Sequence, residues 1–144
     1  MAALVPATSM ASAGYSTAIE APKHSSGQLV SVATKVYQTS TSAVTRPSSV
    51  TVAKGAGCTI IEIQGSVSNA ANSWVPLARL NIASAGSPTD GFGVDFSQCD
   101  DTAFGANATG AYIANLTLVK SMPYMRVSYP ALANASIVAE IAEF

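Results

Sequence analysis

Ile61 to Leu80 reads IEIQGSVSNAANSWVPLARL. Ile61 and Ile63 alternate with Glu62 and Gln64, the period-two pattern of a strand with one face toward a core. Gly65 to Asn72 is a run of small and polar residues that turns the chain. Trp74, Val75, Leu77, Leu80 and Ile82 form the next apolar set, and Pro76 marks an edge or a bend near its start. Strand, turn and strand in so short a span predict an antiparallel pair. Trp74, the one tryptophan of the chain, is expected to plug the core together with Leu77.

The same alternation recurs outward from this stretch. Val30, Val32, Thr34 and Val36 alternate with Ser31, Ala33, Lys35 and Tyr37. SSVTVA carries Val50 and Val52, AYIANLTLVK spans 111–120, and YMRVSY spans 124–129. ASIVAEIAEF closes the chain at 135–144. Helix competes there, because Ala and Glu favour it and Ile137, Val138 and Ile141 fit a helical stripe. The segment is short, lacks a clear cap and follows a string of strands, so strand is expected. GSPTDGFGVDFSQCDD, Gly86 to Asp101, reads as a long loop with one short strand at Val94–Phe96. Seven or eight short strands separated by turn residues predict an all-β fold, an antiparallel β-sandwich of jelly-roll-like type, over residues 28–144. Its expected core includes Ile61, Ile63, Trp74, Leu77, Val127 and Ile137.

Residues 1–27 differ. They are rich in Ala and Ser, contain Pro6, Gly14 and Pro22, and hold no sustained period, so an extended arm is expected. MAALVPATSMASAG has the outline of a signal peptide. It lacks a basic start, and Pro6, Thr8 and Ser9 break its apolar run, so it is read as part of the mature arm.

The 144 residues fit one domain. Hydrophobic residues make up 49% and charged residues 10%, against about 25% charged in ordinary soluble domains. That balance argues against disorder, since disordered chains are charge-rich and apolar-poor. The polar surface must come from Ser, Thr, Asn and Gln, which suits a protein packed against partners or an extracellular module. Net charge is −1, and the basic residues Lys23, Lys35, Arg46, Lys54, Arg79, Lys120 and Arg126 are scattered. Nucleic-acid binding needs a basic patch, and none is present. No apolar run reaches the ~20 residues of a membrane-spanning helix.

Catalytic chemistry has little to work with. His24 is the only histidine and lies in the arm, so no triad or His-rich metal site can be built. Asp90, Asp95, Asp100 and Asp101 offer carboxylates of the kind calcium takes, but their spacing does not match an EF-hand. The plainer reading is a polar turn whose Asp side chains cap backbone groups. Asp95 with Asp100 meets the loose criterion of a glycosidase pair, as any acid-rich loop does. No phosphate loop, nucleophile elbow or dinucleotide fingerprint is present, and the Gly55–Gly57 stretch GAG reads as a hairpin turn. No enzyme, cofactor or metal is expected. Cys58 and Cys99 allow one pairing, but Cys58 sits in an apolar run and both are expected as buried thiols. The ten aromatics could line a sugar-binding face, although a lone Trp beginning a strand is more often core.

Two pieces resemble a unit of tailed-phage virion proteins. In the first, an alternating strand (Ile61, Ile63) ends in Gly65-Ser66, a polar turn follows with Asn69 and Asn72, and Trp74 and Leu77 come next. The second is YMRVSYPALANASIVAEIAEF, with Tyr124, Arg126 and Val127, a small-residue turn and a final strand. Together they cover about a third of the chain. One departure is the turn after Gly-Ser, which usually carries Asp-Gly and here is the longer Ser68-Asn69-Ala70-Ala71-Asn72.

The resemblance implies a small sandwich that decorates or cements the outer surface of a phage capsid, a virion structural protein and not an enzyme. Its implied partners are the major capsid protein and copies of itself. Leu4, Val5, Pro6, Tyr15 and Ile19 of the arm are then the expected contacts with the shell. On that view, removal of residues 1–22 leaves the sandwich folded. The alternatives are a carbohydrate-binding module and a tail or fibre component.

Overall fold

The computed structural model describes residues 2–20, 29–45, 47, 51, 58–82, 98–101, 109–110 and 112–143. Every regular element among them is a strand. In chain order they are β1 (Ala2–Ser9), β2 (Gly14–Tyr15), β3 (Ile19–Glu20), β4 (Leu29–Gln38), β5 (Ile60–Ser66), β6 (Val75–Asn81), β7 (Gln98–Asp101), β8 (Tyr112–Lys120), β9 (Tyr124–Tyr129) and β10 (Ala135–Glu143).

The strands make two antiparallel sheets. Sheet I has the order β1-β10-β4-β8-β7, and sheet II has β2-β9-β5-β6 with β3 also beside β9. Two links join hydrogen-bonded neighbours, β5 to β6 and β7 to β8; β2 and β3 pair with successive parts of β9. The remaining links cross between sheets. This is the expected β-sandwich; a jelly-roll connectivity is not established by these orders.

The core lies between the sheets, where alternate residues of each strand meet. Sheet I contributes Val32, Val36, Ile137 and Ile141, and sheet II contributes Ile61, Ile63, Leu80 and Val127. Each fully buried side chain of this size adds about 1.5–3 kcal/mol. β10 is a strand despite its helix-favouring Ala and Glu. It is paired along both sides, with β1 and with β4 from Ala135↔Gln38 to Glu143↔Val30. Ladder hydrogen bonds and an inward Ile137–Ala139–Ile141 row outweigh local propensity there.

The expected arm is corrected. Residues 2–9 form the strand that covers β10, Val5 is 1% exposed and Met10 is fully buried. Met10 also exchanges backbone hydrogen bonds with Ala135 (2.9 Å) and Leu132 (2.7 Å). Leu4 lies within β1, Pro6 is exposed, Tyr15 is exposed in β2, and Ile19 packs on the core. Two irregularities, between Ala3 and Val5 and between Val5 and Thr8, shift the pairing along β1. Each shift resets the alternation, so no period survives in the sequence. Pro6 in β1 and Pro76 in β6 sit in strands that, among those described, close one side of each sheet, where a missing N–H discourages further pairing.

The loop expected over Gly86–Asp101 ends in a strand, since Gln98–Asp101 pairs with β8 as β7. Cys58 is buried, and the Ile60 N–H donates to its sulfur at 3.4 Å. The side chain of Cys99 lies outside the described residues, as do His24, Val50, Val52, Gly55–Gly57, Asp90, Asp95 and Val94–Phe96.

Candidate interaction surfaces

The β5–β6 turn is organised by Ser66. Its hydroxyl is buried, accepts the N–H groups of Ser68 (3.2 Å) and Asn69 (3.0 Å), and hydrogen bonds with the Ser73 hydroxyl. Asn69 takes the left-handed conformation, φ 57°, which Asn tolerates better than most side chains. Ser73 closes the loop by donating from N (3.0 Å) and Oγ (2.8 Å) to the Ala70 carbonyl.

The chain then delivers Trp74 to the outer face of sheet II, which corrects its expected place in the core. Ala78 pairs with Ile63 but Pro76 pairs with Gln64, so Leu77 is an extra residue in β6. Unbroken alternation back from Leu80 and Ala78 would carry Trp74 inward. The bulge shifts the phase by one residue and turns it outward, while Leu77 packs against the core. Of the other expected core residues, Ile61, Ile63, Val127 and Ile137 are all buried in it.

On that outer face the Arg126 guanidinium lies near two rings, 4.2 Å from the Trp74 centroid and 4.1 Å from that of Tyr15. Arg126 Nε donates to Gln64 Oε1 (2.8 Å), Gln64 Nε2 donates to Glu62 Oε1 (3.1 Å), and Arg79 Nε donates to Glu62 Oε2 (3.0 Å). A polar chain thus crosses β9, β5 and β6. Burial lowers the pKa of Arg126 from its ordinary value, and Tyr15 acts in the opposite direction. The guanidinium stays charged at neutral pH. These contacts tie β9, β5 and β6 together and fix the sheet surface.

The outer face of sheet I is different in kind. Register aligns Val138–Lys35–Ala114 in one row across β10, β4 and β8, then Glu140–Ala33–Leu116, then Ala142–Ser31–Leu118. Leu116 and Leu118 are 55% and 54% exposed, and Leu29, further along β4, is 52% exposed. Small residues between larger ones leave a groove of about 420 Å³, lined by Ala33, Lys35, Ala114, Leu116, Val138 and Glu140 among others. Lys35 Nζ sits 4.2 Å above the Tyr112 ring, at one end of the groove. β8 carries apolar residues on both faces, with Ile113 and Val119 inward beside buried Asn115 and Thr117, and Leu116 and Leu118 outward. That double-sided pattern in AYIANLTLVK was the available signal for this surface.

Among the described residues, no three His, Cys, Asp or Glu side chains gather as metal ligands would. Asp100 and Asp101 lie in β7. Comparison with family models, with curated proteins and with solved structures finds no match to this chain.

Proposed function

We propose that the chain is a non-enzymatic structural protein of a tailed-phage virion, which decorates and cements the outer surface of the capsid by bridging major capsid subunits. The observation that carries this reading is the outer face of sheet I. A half-exposed row of leucines around a shallow groove gains by leaving water against another protein, and exposed apolar patches commonly mark such contacts. The two pieces that resemble virion proteins add support, since one makes the β5–β6 hairpin and the other makes β9 and β10. Low charge suits permanent packing among neighbours. The shell contact no longer rests on a free arm. Pro6, Tyr15, Val67 and Val75 remain exposed for it, while Val5 is committed to the core.

Copy number per particle, from quantitative mass spectrometry of purified virions, tests the proposal. Hundreds of copies are expected. A few to dozens would move the protein to the tail or a fibre, and its absence from virions would end the reading.

A carbohydrate-binding module is the second reading, favoured by Tyr15 and Trp74 on the outer face of sheet II. Against it, Arg126 already occupies one face of each ring. A glycan array that shows binding by the intact protein but not by a Trp74→Ala variant would support this reading.

A further inference from the structure

The sheet I face also has the geometry to say what covers it. We infer that it packs against the same face of a second copy of this chain, about a two-fold axis that lies in the interface and runs across the strands, between the Lys35 row and the Ala33 row. The inference rests on the assembly role proposed above and names the partner of that face.

Self-complementarity is the requirement of a two-fold interface, because one patch must match itself. Rotation about this axis exchanges the rows and keeps the order of strands. Leu116 then faces Ala114 of the second copy, so the protruding leucine enters the groove where the sheet is shallowest. Lys35 faces Ala33, and Glu140 faces Val138. One row further out, Tyr37 faces Ser31 and Leu118 faces Tyr112. Large side chains meet small or apolar ones throughout, as interdigitation of stacked sheets about 10 Å apart demands.

Charge selects this axis over the other simple choice. Here Lys35 stands one strand spacing, about 4.8 Å sideways, from Glu140 of the second copy, and the same pair recurs by symmetry. An axis running along β4 would instead set Lys35 against Lys35. The groove carries one cation and one anion, which is what a self-pairing surface needs to leave neither charge facing its like.

Sedimentation velocity of the purified full chain, over a range of concentrations, tests the inference. The wild type is expected to dimerise, and Leu116→Asp and Lys35→Glu to weaken association at least tenfold. The double variant Lys35→Glu/Glu140→Lys is expected to regain it, because the pair is re-formed with reversed sign. Far-ultraviolet circular dichroism and urea midpoints check that each variant folds; these side chains are on the surface, so folding should persist. A wild type that stays monomeric overturns the inference, as does a dimer indifferent to Leu116→Asp or a double variant that fails to recover. Loss of capsid attachment in Leu116→Asp, with the wild type monomeric in solution, overturns it and gives the face to the shell. A dimer of a chain absent from virions sinks the capsid reading alone, and a monomer present there in hundreds of copies sinks this inference alone.

Discussion

Arg126 holds its guanidinium 4.2 Å from the centroid of the Trp74 ring, on the outer face of sheet II. Trp74 follows a turn and Arg126 belongs to β9, while the ring of Tyr15 in β2 also lies 4.1 Å from the guanidinium. One cation therefore ties three separate segments of the chain. The role of the lone tryptophan is to clamp a sheet surface from outside, and its stabilising effect should be that of a partly exposed contact.

Truncating Trp74 is the direct check. A Trp in a core costs roughly 3–5 kcal/mol on replacement by Ala, whereas a cation–π contact at a partly exposed site is worth about 0.5–2 kcal/mol. Trp74→Ala is expected to fall near the lower range in urea unfolding followed by circular dichroism. A loss of 4 kcal/mol or more, on the order of the core figure, would put the ring back in the core. Arg126→Met should alter the fluorescence of Trp74, the only tryptophan, without unfolding the chain.

Removal of residues 1–12 makes a sharper test. The arm reading has the sandwich survive it. The structure has Val5 and Met10 leave the core, and β10 lose one of its two partners. Two buried side chains are worth about 1.5–3 kcal/mol each before the cavity they leave is counted. Domains are stable by only about 5–15 kcal/mol. The truncated chain is expected to lose most of its stability, seen as a large fall in urea midpoint or no cooperative transition. An unchanged midpoint would restore the free arm.

These two corrections have a common cause. In β4 strict alternation displays which residues face the core, whereas in β8 the inward face holds Asn115 and Thr117 beside Ile113 and Val119 and the outward face holds Leu116 and Leu118, so polarity there points the wrong way. Bulges in β1 and at Leu77 add a residue and reset the phase, and nothing in the local sequence announces where. Val5 and Trp74 each lie beyond such a reset. Ile61, Ile63, Val127 and Ile137 do not, and all four occupy the core. The surfaces were harder to read. Glu62 and Arg79 face each other across the β5–β6 hairpin, but Arg126 joins them only through the pairing of β9 with β5, strands distant in sequence. Leu116 and Leu118 are legible as outward once Ile113 and Val119 are known to point inward.

Glu62 is the hub of the polar chain, with one oxygen taken by Arg79 and the other by Gln64. It is only 5% exposed. Removing one member of a buried pair leaves the other charge uncompensated, at a cost of about 3–5 kcal/mol, whereas apolar replacement of both is often neutral. Glu62→Ala is therefore expected to destabilise strongly, and Glu62→Met/Arg79→Met to recover much of the loss. Equal destabilisation by the single and double variants would assign the loss to the contact with Gln64 and not to an uncompensated Arg79 charge.

Gly65 occupies the inward face of β5, in step with Ile61 and Ile63. A Cβ there would stand 2.6 Å from Met122 Sδ and 2.9 Å from Leu77 Cδ1, closer than real contacts allow. The glycine is required by what lies over it, since Met122 and Leu77 fill the space a side chain would take. Overpacking of this kind costs about 1–3 kcal/mol, and the flexible thioether of Met122 can give way in part. Gly65→Ala should therefore destabilise within that range, and Met122→Ala should cost something by lost burial. Combined, the new methyl enters the space the thioether leaves, so the double variant should be more stable than the sum of the two losses. Contacting residues typically show coupling of about 0.5–3 kcal/mol. A double-mutant cycle by urea unfolding measures it, and strict additivity would mean that Gly65 is selected by its backbone and not by the side chains packed above it.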